Sequence, residues 1–508
     1  MTTLKATYGL YVDWNDDGDF GDAGEDISAD WMHITIRRGM SSPMARFPTV
    51  GRMTVTLRNA AQTYSPPATA AARPRHEVYL SMTYSGTTKT IFRGWIESLK
   101  PASGTMRSRR AVMECVDAVW LLDQFEGDIT LLTNVRADDV IEDVVDAVYT
   151  PPSDAYDGGI NQFPTAADRW AGQLSIWAWR ASAGGGGGVS QSISASGKIY
   201  DACVSDWGRF FISAAGVPTY YNRHHMPFDS TAALTLDDTM VALDYEMSAT
   251  SVRNHVEVTC YPRKIGETYE VLGQLDQGDA PIIEAGEAVT FDIAFRDPAN
   301  TAVTLGGSEV IAPVATTDYT CTDDEAGEGT DVTGDVSSGI TAYGDHGEVT
   351  LTNGGAVPAR LQELRVRGLA VRSYESVTVV ASEASDVVQR MAVDAPLMSS
   401  PVDAQGLADW LLSYYKDPLH DIKGVEIIAN SNATFMAAVR DLDLCERVVL
   451  TESQTGLSAQ AGYIYSMRHD IGQGSIHRLS LDLEQAYSYG VTRPAWDTAE
   501  WDADVWVY

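Results

Sequence analysis

Tyr8-Gly9-Leu10-Tyr11-Val12-Asp13-Trp14-Asn15-Asp16-Asp17-Gly18-Asp19-Phe20-Gly21-Asp22-Ala23-Gly24-Glu25-Asp26 is the stretch whose reading sets the fold class. Its first five residues read as a strand, and Trp31 to Arg38 reads as another. Between them lies a turn crowded with acids and punctuated by Gly18, Gly21 and Gly24. Asp13, Asn15 and Asp17 alternate, and a glycine follows. That spacing gathers side-chain oxygens around one bend, as hard cations such as calcium require. An EF-hand loop carries oxygen ligands at its first, third and fifth positions, glycine at the sixth and a bidentate Glu at the twelfth. Here the twelfth place is Gly24, Glu25 comes one residue late, and the flanks are strands rather than helices. Two readings stay open. In one, calcium takes side-chain oxygens of Asp13, Asn15 and Asp17 and the carbonyl of Asp19, with Asp22 or Glu25 completing the shell. In the other, the segment is a solvated Asx-rich hairpin.

Period-two alternation continues through Met53-Thr54-Val55-Thr56-Leu57, around Val78-Tyr79-Leu80, and through Ile91 to Ile96. This predicts an all-β first domain over 1–127, with a barrel favoured because closure removes exposed edges. Residues 128–232 read as an α+β domain. Ala137, Val140, Ile141, Val144, Val145 and Val148 form a helical stripe that Thr150-Pro151-Pro152 stops. A glycine run, Gly184 to Gly188, interrupts a loop-rich 152–195. A helix over Ile199–Trp207 precedes a hairpin with its turn near Gly216. Residues 233–279 and 376–490 are assigned to a second, discontinuous barrel. It includes a strand over 251–260, a helix through Ala404 to Tyr415 with Asp403 as N-cap, and four late strands. Residues 280–375, rich in Asp, Gly and Thr, read as an inserted β-sandwich; Asn353-Gly354-Gly355 is a strong turn signal. The fold class is therefore mainly β and multi-domain, with a smaller α+β domain. No solenoid-type repeat stands out.

The chain has 508 residues, with 70 acids against 36 bases and a net charge of −34. That excess argues against a phosphate-binding surface, which needs clustered Lys and Arg. Cys115, Cys203, Cys260, Cys321 and Cys445 are odd in number and far apart, so they read as small apolar residues rather than as disulfides or a zinc site. The N-terminus lacks a signal-peptide core, and no segment has the apolar length of a membrane helix, so cytoplasmic synthesis without stable membrane insertion is expected. His76-Glu77-Val78-Tyr79-Leu80 lacks the second histidine of a zinc-protease motif. His224 and His225 point to opposite faces of a strand and cannot chelate one ion from one side. No nucleophile elbow and no phosphate loop is present. The chain is read as non-enzymatic. At the C-terminus, Trp496, Trp501 and Trp506 recur every five residues, a spacing that fits neither helix nor strand. Docking of these rings on a neighbouring chain competes with packing on their own domain.

The order of several signatures resembles that of baseplate hub proteins of long-tailed bacteriophages. They are the acidic turn, Arg38-Gly39, Gly51-Arg52-Met53-Thr54-Val55-Thr56-Leu57-Arg58-Asn59, Tyr64-Ser65-Pro66 and Phe92-Arg93-Gly94-Trp95-Ile96. Further along come Arg136 to Ile141, Gly208-Arg209-Phe210-Phe211, Arg253 to Val258, Leu364 to Gly368, Ala408 to Leu412 and Gly462-Tyr463-Ile464-Tyr465. The resemblance covers most of the chain. It implies two β-barrel hub domains in one polypeptide and a homotrimeric ring that adapts a six-fold tail tube to a three-fold tip. It also implies a DNA conduit that binds nothing specifically, residence in the virion tail tip, and distal tail or tube, tape measure, and fibre or tip proteins as partners. The 491–508 tail has no counterpart in that pattern. A glycan-binding adhesin using 280–375 is the alternative, weakened by how few aromatics beyond Tyr319 and Tyr343 that module has to stack on sugars. A wall hydrolase is a third reading, without a motif to support it.

Overall fold

A computed structural model describes residues 4–69, 72–103, 109–125, 136–150, 194–223, 226, 231–275, 281–472 and 474–486. The glycine run at 184–188, His224-His225 and the three C-terminal tryptophans lie outside the described residues.

One sheet of twelve strands dominates. From the first part of the chain come β1 (Thr7–Val12), β2 (Trp31–Gly39), β3 (Thr49–Arg58), β4 (Glu77–Tyr84), β5 (Thr87–Pro101) and β6 (Arg110–Val116). From the later part come β7 (Leu234–Leu236), β8 (Ala242–Met247), β9 (His420–Ile428), β10 (Arg447–Glu452), β11 (Leu457–Ile471) and β12 (His477–Gln485). Alternation of apolar and polar residues gives each strand one buried face. Along β1 and β3, for example, Tyr8, Leu10, Val12, Met53, Val55 and Leu57 are buried and their neighbours are more exposed. Apolar residues of both sets of strands merge into one core.

Among the described residues no closed barrel is found in either set, so the expectation of two barrels is not confirmed. Among the described residues, β1 meets the segment before β2 through the bridge Tyr11 to Asp26, where Val12 donates to the Glu25 carbonyl at 3.0 Å and Ile27 to the Leu10 carbonyl at 2.9 Å, and through the Leu10 N–H, which donates to Ser28 Oγ at 2.9 Å. The edge need that closure would have met is partly answered otherwise: β2 pairs with β11, so the two sets fuse into one sheet.

A second core joins the helices to a small sheet. Helices α1 (Val119–Gln124), α2 (Ala137–Asp146), α3 (Ala195–Asp206) and α4 (Pro401–Tyr415) contribute to it. So does His255–Cys260, which pairs with Val377–Ser382 and, in parallel, with Arg390–Asp394. The strand expected near 251–260 thus exists but sits in this layer, not in the large sheet. Ser400, not Asp403, caps α4: its side chain accepts from the Asp403 N–H at 3.2 Å. Pro401 follows at the first helical position, where its missing N–H costs nothing. The sequence reading also missed α5 (Ala433–Asp441), which Asn432 caps.

The third core belongs to the inserted module. Its sheet begins before residue 280, because Arg263–Gln274 pairs along Ala359–Ser373. A smaller sheet, with Ala288–Ala294 and Val336–Ala342 flanking His346–Asn353, contributes Ile293, Val349 and Leu351 to the same core. All five cysteines are buried and free. No helix among the described residues is long and apolar enough to cross a membrane.

Candidate functional site

The strand order of the two halves is the same. The first runs β1-β4-β5-β6-β3-β2 and the second β7-β10-β11-β12-β9-β8, so adding six to each label converts one into the other. Four of the five pairings agree in direction; the first differs, since β1 and β4 are antiparallel while β7 and β10 are parallel. Detail repeats as well. Gly94-Trp95-Ile96-Glu97-Ser98-Leu99-Lys100 in β5 matches Gly462-Tyr463-Ile464-Tyr465-Ser466-Met467-Arg468 in β11. Each strand carries a bulge at the same place, between Ile96 and Ser98 and between Ile464 and Ser466. Ile96 donates to the His76 carbonyl at 3.0 Å and its own carbonyl accepts from Arg75 at 2.7 Å. Ile464 does the same with Glu446 and Cys445 at 3.0 and 2.7 Å. Arg75 and Cys445 both hold a positive φ, 79° and 64°. A bulge re-aims a strand and increases its twist, so the halves bend in the same way at matching points.

The joint between halves is the run Ile34↔Ile471 through Gly39↔Ser466. It occupies the part of β11 beyond the stretch that β10 covers. Gly39 has φ 122°, and a Cβ there would lie 2.3 Å from the Tyr465 carbonyl oxygen. Only glycine permits that approach. Arg38 beside it is buried and donates through Nη2 to the Ile212 carbonyl at 2.7 Å and to Asp443 Oδ1 at 2.8 Å. Asp443 Oδ2 in turn accepts from the Ala214 N–H at 2.7 Å. One guanidinium therefore ties both halves to the hairpin of the helical layer. A second lock lies nearby: buried Arg209 pairs with Glu484 and donates to the Pro43 carbonyl, while Arg46 stacks on Trp207 at 4.7 Å. Tyr8, His477 and His469 form a third link across the halves, with Tyr8 Oη 2.8 Å from His477 Nδ1 and His477 Nε2 2.9 Å from His469 Nδ1. Burial, with help from the Arg38 charge, pushes His469 down to about 3, and burial likewise pushes His477 down. Both rings are neutral near pH 7, and neutral rings satisfy this chain of hydrogen bonds.

The acidic turn hangs on Asp13, which is buried. Its Oδ1 accepts from the Asp16 N–H at 2.6 Å and its Oδ2 from the Gly18 N–H at 2.9 Å. Asn15 Nδ2 sits between two carboxylates, 2.9 Å from Asp17 Oδ2 and 2.8 Å from Asp22 Oδ2. Asp19 Oδ1 accepts from Gly21 at 2.8 Å. Asp16, outside the proposed ligand set, reaches His76 Nδ1 at 2.8 Å. Glu25 is 2% exposed; its Oε2 accepts from Asp22 at 2.9 Å, and its buried Oε1 has no hydrogen-bond partner. Among the described residues, no three His, Cys, Asp or Glu side chains are gathered as a ready-made metal shell. The donor set is nevertheless all oxygen apart from the Asn15 amide nitrogen, which suits a hard cation, and an orphaned buried carboxylate oxygen is the kind of group an ion satisfies.

The sequence reading thus identified the turn and quoted Arg38-Gly39 without a role for either residue. It missed Asp443, Glu484 and the His469–His477 pair. The seven-residue match between β5 and β11 was legible, but alone it is short.

No protein-family profile and no curated protein matches the chain. Solved structures do. One is a tail protein from Neisseria meningitidis MC58, 9% identical, covering 95% of this chain and 96% of its own, with TM-score 0.44. Another is the 43 kDa tail protein of prophage MuSo2 from Shewanella oneidensis, 8% identical over 94% and 98%, with TM-score 0.46. A third is prophage tail protein gp18 from Listeria monocytogenes EGD-e, 6% identical over 94% of both chains, with TM-score 0.40. Across nearly its whole length and at low identity, the chain is similar to tail proteins, two of them from prophages.

Proposed function

We propose that this protein is a structural hub of a phage tail tip, working as a homotrimeric ring rather than as an enzyme. The observation that carries the reading is the internal duplication: two six-stranded halves of equal strand order, joined side by side in one chain. Three such chains present six similar sheet halves, which is what a three-fold object needs to meet a six-fold tube. A head-to-tail interface that closes after three copies is the natural symmetry. The net charge of −34 per chain supports a conduit that repels passing DNA instead of binding it. Tube, tape measure and fibre proteins are the partners this geometry suits, and Trp496, Trp501 and Trp506 are proposed docking residues for one of them. Light scattering on the purified chain tests the assembly: a mass of three chains is expected, and a monomer at high micromolar concentration would contradict it.

Calcium at the acidic turn is part of the same proposal. Glu25 Oε1 supports it, together with Asp13, Asn15, Asp17 and the Asp19 carbonyl as the remaining oxygen donors. The bound ion would pin the β1–β2 connection; it would take no part in chemistry.

A further inference from the structure

The intrachain joint uses one strand from each half, and the duplication places an unused counterpart of each on opposite parts of the sheet. In the joint, β2 lies against the far end of β11. The counterpart of β2 is β8, and the counterpart of β11 is β5. Among the described residues, β8 is the last strand of the sheet and pairs only with β9. β5 is covered by β4 up to Trp95 and by His76 and Arg75 at Ile96, and no described strand continues along that edge from Glu97 to Pro101. Two open edges of matching position remain on a chain whose equivalent edges are already paired with each other.

We propose that β8 of one chain pairs antiparallel with the Ser98–Pro101 end of β5 in the next, repeating the β2·β11 joint between copies and closing the ring. This rests on the trimeric reading above and names the surface it uses. Register follows by transfer. β2 and β8 are aligned through their partners: Ile36 lies opposite Met53 and Tyr245 opposite Ile422, and Met53 and Ile422 lie opposite Cys115 and Leu483. Arg37↔Arg468 then becomes Glu246 opposite Lys100, and Arg38↔Met467 becomes Met247 opposite Leu99.

The chemistry of the transferred pairs favours contact between copies. Where the intrachain joint sets two arginines opposite each other, the seam sets Glu246 against Lys100, and opposite charges across a strand pair are favourable. Met247 is 52% exposed, and Val241, the residue just before the other end of β8, is 54% exposed. A strand edge bearing such side chains is a pairing template unless something covers it. Lys100 already holds Glu114 at 2.7 Å, and Lys423 lies near Glu246, so each half of the seam carries both signs and the pairing adds one contact to each.

The test mixes two full-length variants, Glu246→Cys and Lys100→Cys, in equal amounts under mild oxidation. Opposed residues in a strand pair lie within disulfide reach. A covalent two-chain species is expected from the mixture and not from either variant alone, which also excludes a bond within one chain. A parallel pair of charge variants guards against slow oxidation: Glu246→Lys should raise the trimer dissociation constant at least tenfold, and adding Lys100→Glu should restore it. If the chain is trimeric by light scattering but the mixture gives no cross-link and charge reversal changes nothing, the seam lies elsewhere and this inference is overturned while the hub reading stands. If the chain never associates, both are overturned.

Discussion

At the residue scale, the joint depends on groups that tolerate no neighbour of another size or charge. Gly39→Ala forces a Cβ into the Tyr465 carbonyl at a φ of 122°, and no flexible side chain can move aside. A loss of about 3 kcal/mol or more is expected in urea unfolding, since strained φ and an overpacked site each cost on the order of 1–3 kcal/mol. Arg38→Ala removes one partner of a buried ion pair, which typically costs about 3–5 kcal/mol. The lower end is expected, because Asp443 keeps the Ala214 and Leu444 N–H donors. Wild-type stability in both variants would contradict the joint. For the turn, terbium luminescence sensitised by the adjacent Trp14 reads cation binding. Saturable emission displaced by calcium is expected, weakened at least tenfold in Glu25→Gln and in the more exposed Asp17→Ser. Equal emission in both variants would remove calcium from the account. The sequence made these oxygens visible because they are consecutive. It could not make Asp443 visible, because that residue meets Arg38 across some four hundred positions of chain.

At the scale of elements, the Tyr8–His477–His469 link ties β1 to the β11–β12 hairpin and gives a pH signature. Both histidines titrate lower in the folded protein than when free. The unfolded chain therefore takes up protons first as pH falls below about 6.5, and the stability from the neutral His469 ring is lost between there and about 3. Three carboxyls act in the opposite sense: desolvation raises the buried Asp117 and Asp206 to about 6 and the half-buried Glu446 to about 7. A differential comparison isolates the histidines. Between pH 7 and 4.5, the melting temperature of wild type should fall more than that of His469→Gln; parallel curves would argue against the link. Ser400→Ala should cost about 1 kcal/mol through the lost α4 cap, measurable by the same melts. Strands with clean alternation, such as β3 and β9, were legible from sequence. The strand 255–260 was legible as a strand but not by sheet, because its parallel partner at 390–394 is non-local and leaves no mark in either segment. Helix α5 escaped notice because nine residues hold too few turns for a periodic stripe.

At the scale of the whole molecule, the fold follows from one duplicated plan with two additions. The first half runs nearly straight through β1 to β6. The second is interrupted between β8 and β9 by the inserted module and by strands and helix α4 of the helical layer. That interruption hid the duplication in the sequence, since matching strands are spaced differently and only Gly94–Lys100 and Gly462–Arg468 keep a common text. Closure into a barrel was not legible either, because alternation specifies which face of a strand is buried, not which strand ends the sheet. Under the proposed trimer, the duplication lets a single chain act as two subunits of a ring. Electron microscopy of the purified assembly tests that most directly. The account expects a closed three-fold ring whose inner rim shows six like densities, alternating between first and second halves. A ring lined by only one half of each chain, or an assembly that surrounds no axis, would contradict it.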